Sequence, residues 1–232
     1  MLSIQNLVKK YHKFIAVDHV SFTVEPGSVA IILGPNGAGK STTIKSIVGL
    51  LRFEGDITID DISNKEKIAK QRLAYIPEVP SMFPLLTVRE HLVYFLKAYN
   101  KTVDDIKIDE LLDRFDLLDK QTKLGNELSK GMMQKVSICC ALIVDPEVII
   151  FDEPMVGLDP KAIKELKAMI LTLKSAGKII LISTHMLEMV ETLWDRVILM
   201  DLGKLVGIYD KDKLEDKDLE VLFFANTGED HE

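Results

Sequence analysis

Gly34-Pro35-Asn36-Gly37-Ala38-Gly39-Lys40-Ser41 decides how the rest of this chain is read. The octapeptide fits G-x-x-x-x-G-K-[ST], a loop pattern that wraps nucleotide phosphates. Just before it, the apolar run Val29-Ala30-Ile31-Ile32-Leu33 predicts a buried strand. Just after it, Thr42 to Leu50 has no breaker before Gly49 and carries Ile44, Ile47 and Val48, which predicts a helix. Strand, glycine turn and helix are the context the loop needs. Glycine lets the backbone N–H groups close around an anion, and the helix N-terminus adds unsatisfied donors with a positive partial charge. The candidate nucleotide-binding set is Gly34, Pro35, Asn36, Gly37, Ala38, Gly39, Lys40, Ser41 and Thr42. Lys40 is expected to reach the β- and γ-phosphates and the Ser41 hydroxyl to ligand Mg²⁺.

A second apolar run, Val148-Ile149-Ile150-Phe151, ends at Asp152-Glu153-Pro154 and predicts a buried strand closed by two carboxylates. Downstream of a phosphate loop, this reads as a Walker B element. Asp152 is expected to hold Mg²⁺, directly or through water, and Glu153 to act as general base for a water attacking the γ-phosphate. A third run, Ile179-Ile180-Leu181-Ile182, ends at Ser183-Thr184-His185. Apolar runs without alternation, separated by helices, indicate a mainly parallel sheet covered on both faces. Ligands of such sheets bind at the carboxyl ends of the strands, so the three run ends can converge on one site.

The flanking segments complete an α/β reading: a P-loop NTPase core, an N-terminal antiparallel β-subdomain and an inserted helical subdomain. Residues 1–27 read as strands, with Lys9-Lys10-Tyr11-His12-Lys13 as a polar turn and Pro26-Gly27 as a closing one. Glu54 to Asp60 reads as a short exposed strand, Asn64 to Gln71 as a charged helix and Leu73 to Ile76 as a strand stopped by Pro77. Pro77, Pro80 and Pro84 mark a loop and a boundary. Thr87-Val88-Arg89-Glu90 is a capping box, followed by Val88, Leu92, Leu96 and Tyr99 on one helical face. No convincing strand lies between there and about Val144. Asp159-Pro160 reads as an N-cap with proline at N1, and Ile163, Leu166, Ile170 and Leu173 as the buried face of the helix that Gly177 ends. Arg196 to Met200 and Lys204 to Tyr209 form a hairpin about Leu202-Gly203. The whole chain is thus expected to be one domain, with residues 1–83 and 146–225 as catalytic core, 84–145 as helical subdomain and 226–232 as an acidic tail.

Composition narrows the function classes. The 232 residues carry a net charge of −7, which argues against a nucleic-acid partner because such binders show a basic excess. The two cysteines, Cys139 and Cys140, are adjacent in an apolar stretch and suggest packing rather than a disulfide or metal framework. Met1 to Asn6 does not read as a signal peptide, and no apolar run approaches a bilayer-spanning length. Any membrane role is therefore expected to need a partner. His12, His19, His91 and His231 have no motif context.

With these residues in order, the chain resembles the nucleotide-binding subunits of ATP-binding-cassette (ABC) transporters over nearly its whole length. Leu128-Ser129-Lys130-Gly131-Met132 lies where that family has its L-S-G-G-Q signature, with Gln134-Lys135-Val136 following the pattern. Gly157-Leu158-Asp159 resembles the D-loop and His185 the switch histidine. Tyr11 precedes the P-loop at about the distance of the aromatic residue that stacks on adenine, with Phe14 as a rival. Pro77-Glu78 stands where the family has its Q-loop glutamine.

The resemblance implies an ATPase that powers a membrane transporter, with ATP and Mg²⁺ bound between two head-to-tail subunits. Each nucleotide would lie between the P-loop of one subunit and Ser129 and Gly131 of the other, with Asp159 nearby. It implies His185 as γ-phosphate sensor and Glu78 as a loop carboxylate able to ligand Mg²⁺, though it adds negative charge beside the triphosphate. Lys130 and Met132 depart from the usual glycine and glutamine, so Met132 is expected to make no polar contact with nucleotide. The implied partners are a second copy or a homologous ATPase subunit and separately encoded transmembrane permease subunits, at the cytoplasmic side of the membrane. The Lys-Gly-Met signature and Glu78 look most like exporter-type cassettes. A soluble cassette ATPase, a chromosome-maintenance ATPase and a nucleotide-binding scaffold are rival readings. The first usually carries two cassettes and the second a long coiled coil, while the carboxylates argue for a working site against the third.

Overall fold

The computed structural model describes residues 1–186 and 192–213. Two sheets are stacked. The first has four strands in the order β2-β1-β4-β5, namely β1 Leu2–Tyr11, β2 Phe14–Val24, β4 Glu54–Ile59 and β5 Ile62–Ser63, all antiparallel. The second has six strands in the order β10-β9-β3-β8-β7-β6: β3 Val29–Leu33, β6 Leu73–Ile76, β7 Val148–Asp152, β8 Ile179–Thr184, β9 Arg196–Asp201 and β10 Lys204–Asp210. β9, β3, β8, β7 and β6 are parallel, and β10 closes the edge as the antiparallel arm of a hairpin.

The apolar runs are continuous because both faces of the second sheet are covered. Along β3, Val29, Ile31 and Leu33 enter one core, while Ala30 and Ile32 enter the other. Ile149 and Phe151 alternate with Val148 and Ile150 along β7 in the same way, as do Ile180 and Ile182 with Ile179 and Leu181 along β8. One core is shared with the antiparallel sheet and with Ile44 and Ile47 of helix α1 (Lys40–Ile47). The other is shared with α3 (Val88–Ala98), α4 (Asp105–Arg114), α5 (Lys130–Ile143) and α6 (Pro160–Ser175). Each fully buried Ile, Leu, Val or Phe contributes about 1.5–3 kcal/mol of transfer free energy. The short α2 (Lys67–Gln71) packs beside β6.

Local rules account for the helix ends. Thr87 accepts from the Glu90 N–H while Glu90 reaches back to the Thr87 N–H, the reciprocal capping box. Asp159 caps α6 by accepting from Ala162 N at 2.9 Å, with Pro160 at the first position. On α6 the buried face is Ala162, Leu166, Met169 and Ile170, with Ile163 and Leu173 half-buried at its sides.

Three readings need correction. The first strand runs to Tyr11, so the turn is only His12-Lys13, with Tyr11 paired to Phe14 and His12 at φ 54°. Its polar residues belong to a solvent-facing stretch of strand, where polarity does not signal a turn. β4 is not simply exposed, because Ile57 and Ile59 are buried on its inner face. The expected helix over 64–71 starts at Lys67; Ile62–Ser63 pairs with β4, and the buried Asn64 donates to the carbonyls of Ser46 at 3.0 Å and Ile47 at 2.8 Å. The acidic tail, 226–232, and the end of the expected core, 214–225, lie outside the described residues.

Candidate active site

The loop between β3 and α1 needs its glycines for two distinct reasons. A Cβ on Gly34 would lie 2.1 Å from the Met200 carbonyl oxygen, so this position is closed to larger residues by the neighbouring strand. Gly39 stands at φ 96° and would meet the Ala16 carbonyl at 2.7 Å, so conformation and space both require glycine. The turn delivers Lys40 to the first position of α1, only 6% exposed. Its Nζ donates to Gly34 O at 2.7 Å and Pro35 O at 3.1 Å and lies 3.7 Å from Glu153 Oε1. Burial draws the Lys40 pKa down, opposed by the charges of Glu153 and Asp152.

β7 and β8 place the carboxylates. Their parallel register pairs Asp152 with Ser183. Asp152 is 1% exposed, and its Oδ1 accepts from Ser183 Oγ at 2.6 Å and from Ser41 Oγ at 3.0 Å. Tyr75 on β6 directs its hydroxyl to Oδ2 at 3.4 Å, and burial, followed by the Asp152 charge, pushes the phenol pKa up. Glu153 takes a left-handed backbone conformation, φ 48°, uncommon outside glycine and asparagine. Its N–H donates to Ser183 O at 3.1 Å, and its Oε1 is 2.9 Å from His185 Nδ1. Ser41, Lys40, Asp152, Glu153 and His185 therefore form one connected cluster at the carboxyl end of the parallel strands.

This cluster opens into a cavity of about 490 Å³ lined by residues 36–42 and by Tyr11, Phe14, Ala16, Glu78, Glu153, Val156 and His185. Lys9 Nζ lies 4.7 Å from the Tyr11 ring centroid, on a ring that is otherwise half-exposed, and Phe14 is more exposed still. Gly37 has open space around its Cβ position, so the loop wall is free of side chains there. The Ser41 hydroxyl and the Asp152 carboxylate are hard oxygen donors in contact, and Glu78 lines the same cavity. This donor set suits Mg²⁺ rather than a softer metal. An apolar cavity of about 300 Å³ lies elsewhere, between the end of α1, β6 and α3, with Leu50, Phe95 and Ala141 among its lining.

Ser129, Gly131 and Asp159 are not part of this cavity. Ser129 is the N-cap of α5, accepting from Met132 N at 3.3 Å. A Cβ on Gly131 would lie 2.9 Å from the Gly157 carbonyl, so the start of α5 sits directly against the loop before α6. Asp159 pairs with Lys135 at 2.7 Å, and that ammonium holds the carboxyl below its usual range, helped by the Ala162 N–H. Gln134 is buried, donates to Pro154 O at 3.4 Å and leaves its Oε1 without a partner. Met132 is half-buried and packs on the hydrophobic core.

Ser183 and Tyr75 were missed by the sequence reading. Ser183 follows an apolar run, as Asp152 does, but nothing in the sequence says that the two runs are neighbours or in what register they pair.

A profile of the family described as ABC transporter matches residues 17–156. The SkfA peptide export ATP-binding protein SkfE of Bacillus subtilis (strain 168) is 36% identical over 209 residues, covering 89% of this chain and 87% of its own length. The ABC-type transporter ATP-binding protein EcsA of the same organism is 34% identical over 241 residues, covering 99% of this chain and 98% of its own. A solved structure of an ATP-binding subunit of an ABC transporter superposes with a TM-score of 0.90 at 33% identity, covering 98% of this chain and 99% of that one.

Proposed function

The chain belongs to the ABC transporter family as an ATP-binding subunit, and on that premise we propose that it hydrolyses ATP at a site shared between two copies. The observation that carries this reading is the separation of two groups of residues. Lys40, Ser41, Glu153 and His185 line one cavity, with Asp152 buried behind Ser41 and bonded to it, while Ser129 and Gly131 of the same chain take no part in the lining. A helix start that offers N–H groups and a hydroxyl suits an anion, and because this one is apart from its own chain's cavity, a phosphate held by a second chain is the ligand it fits. The two copies pair head to tail, each closing the other's P-loop.

In this reading residues 34–42 bind the phosphates through backbone N–H groups, and Lys40 exchanges its bonds with the Gly34 and Pro35 carbonyls for phosphate oxygens. Tyr11 offers an aromatic face to the base. Ser41 and Asp152, with Glu78 at the cavity wall, hold Mg²⁺, which when bound neutralises phosphate charge. Glu153 accepts the proton of the attacking water, and His185, bonded to Glu153, orients that carboxylate and senses the γ-phosphate. Ser183 and Tyr75 fix Asp152. Asp159 sits at the shared surface.

Among the described residues no helix is long and apolar enough to cross a membrane. In this reading, which rests on the transporter family, the membrane-spanning path belongs to separate permease subunits. The chain works at the cytoplasmic face, bound peripherally, and contacts the permease through the Pro77–Pro84 loop and the helical part, residues 84–145. The catalytic part is 1–83 with 146–225. The peptide-export role carried in the name of SkfE supports an exporter.

The test is the dependence of ATPase rate on protein concentration. A shared site gives a rate that rises faster than linearly. A strictly linear rate from a species that remains monomeric by sizing removes the role of Ser129 on a partner.

A further inference from the structure

A buried histidine on α3 braces the segment between β6 and α3 and plays no part in the cavity described above. His91 lies on the first turn of α3 and is 1% exposed. Its Nδ1 is 2.7 Å from the Thr87 carbonyl oxygen, and its Nε2 is 2.9 Å from the Phe83 nitrogen. A carbonyl only accepts and a backbone N–H only donates. Nδ1 therefore carries the ring hydrogen, and Nε2 offers its lone pair to Phe83 N–H. The neutral ring is fully used, and what it holds is the backbone of the proline-rich loop.

That loop is stitched to the turn just ahead of the signature. Leu86 O accepts from Gly125 N at 2.9 Å, and Pro84 O from Asn126 N at 3.3 Å. Thr87 bridges to Leu124. The approach is close enough that a Cβ on Gly125 would lie 2.3 Å from the Phe83 carbonyl oxygen. The 3₁₀ turn Gly125–Glu127 then leads through Leu128 to Ser129, the N-cap of the signature helix. The ring of His91, Phe83–Leu86 and Gly125–Glu127 are joined by hydrogen bonds, and Ser129 follows two residues along the chain. None of them lines the P-loop cavity.

We propose that His91 is a positioning residue for the shared site: by holding the Phe83–Leu86 loop against Gly125–Glu127, it sets where Ser129 stands for the partner's nucleotide. The inference rests on the reading that Ser129 acts across the dimer. It assigns His91 to the trans half alone, so losing the histidine weakens closure of the dimer and spares nucleotide binding to one chain.

The test uses the full chain in a Glu153→Gln background, where ATP-bound dimers accumulate. Dimerisation in Mg-ATP is followed by sedimentation, and binding to the single chain by a fluorescent ATP analogue at protein concentrations too low for dimers. His91→Leu keeps the apolar bulk but leaves Phe83 N–H buried without an acceptor, and weakens dimerisation about tenfold. His91→Asn, too short to reach Phe83, behaves like leucine. His91→Gln puts an amide oxygen near the Nε2 position and recovers dimerisation to within about threefold. Gly125→Ala strikes the same contact from the other side and weakens dimerisation at least as much as leucine. All four bind the analogue within about twofold of the parent, because the cavity is a separate set of contacts. The inference is overturned if His91→Leu dimerises like the parent, if glutamine rescues no better than leucine, or if analogue binding falls in step with dimerisation, the mark of a general folding defect. A parent that stays monomeric in Mg-ATP removes the shared-site reading itself, and this inference with it.

Discussion

The P-loop half and the signature half of the molecule are built in opposite ways. In the P-loop half, Lys40, Asp152 and Glu153 are all nearly buried and their charges meet one another. Buried charge is costly unless paired, so this half is held together by its own internal partners. In the signature half, Ser129 is an exposed cap, and Asp159 is half-exposed and paired with Lys135. The buried polar groups of this half, Gln134 and His91, lie behind that surface rather than on it. In the proposed function, the first half carries chemistry that a single chain assembles. The second is a surface whose polar groups are presented rather than converged. A change in the first half should strike turnover, whereas a change in the second should strike turnover only through the dimer.

The sharpest way to break this contrast is Glu153→Gln. Glutamine inherits the same φ of 48° with no new backbone strain, and keeps an oxygen for His185, but cannot take a proton. Turnover should fall about 10²–10⁴-fold, the usual worth of a general base, with nucleotide binding retained. Steady-state hydrolysis together with equilibrium nucleotide binding measures both, and a variant with normal turnover would sink the base assignment. Next is complementation. Ser129→Arg blocks the signature half and Lys40→Met disables the P-loop half, so each alone should lose about 10²-fold or more. A mixture of the two should regain activity, because a mixed pair keeps one intact P-loop facing one intact signature. No recovery on mixing, with both variants folded and able to exchange subunits, would place the two halves in a single chain's site.

Ser183→Ala probes how far the P-loop half depends on internal support. It removes a 2.6 Å hydrogen bond to a buried carboxylate, worth about 1.5–3 kcal/mol. Turnover should drop about 10- to 100-fold, with the Mg²⁺ concentration for half-maximal rate raised, while Tyr75→Phe, which loses a longer 3.4 Å contact, should cost less than about tenfold. Calorimetric Mg²⁺-nucleotide titration separates a displaced Asp152 from a general loss of stability. Unchanged metal affinity in Ser183→Ala would leave the serine a purely structural role.

These supporting residues also show where sequence reading stops. β3, β7 and β8 are legible because strands buried on both faces must be apolar at every position, and the glycine loop is legible because its conformation admits few other residues. Ser183 is hidden because its role comes from register: only the pairing of Asp152 with Ser183 makes it a neighbour of the carboxylate. The strand through Lys9, Lys10 and Tyr11 is hidden because a solvent-facing strand end and a turn share the same polar composition. His91 is hidden for a third reason, since its partners are backbone atoms of a loop whose path no side-chain pattern encodes. Ser129 and Asp159 are recognisable as motif and cap, yet their distance from the P-loop of their own chain is a fact of packing alone.

The mildest test falls on the signature half, at Lys135. Its ammonium lies 2.7 Å from Asp159 and is the main reason that the carboxyl sits below its usual pKa, with the Ala162 N–H second. A carboxyl whose folded pKa is depressed contributes stability that is complete above the unfolded value, about 3.9, and is lost as pH falls through the lower folded value. Lys135→Met removes the larger share of that contribution and leaves the Ala162 N–H in place. Because Asp159 is half-exposed, the loss near neutral pH should stay within about 1 kcal/mol. Urea unfolding of the two proteins should show this small gap near neutral pH and see it close as the solution is acidified below the ordinary carboxylate range. ATP binding to the single chain should not move. If Lys135→Met instead cost as much turnover as Ser183→Ala at saturating protein, with the dimer intact, the pair would be acting on the chemistry, and the signature half would be more than a presented surface.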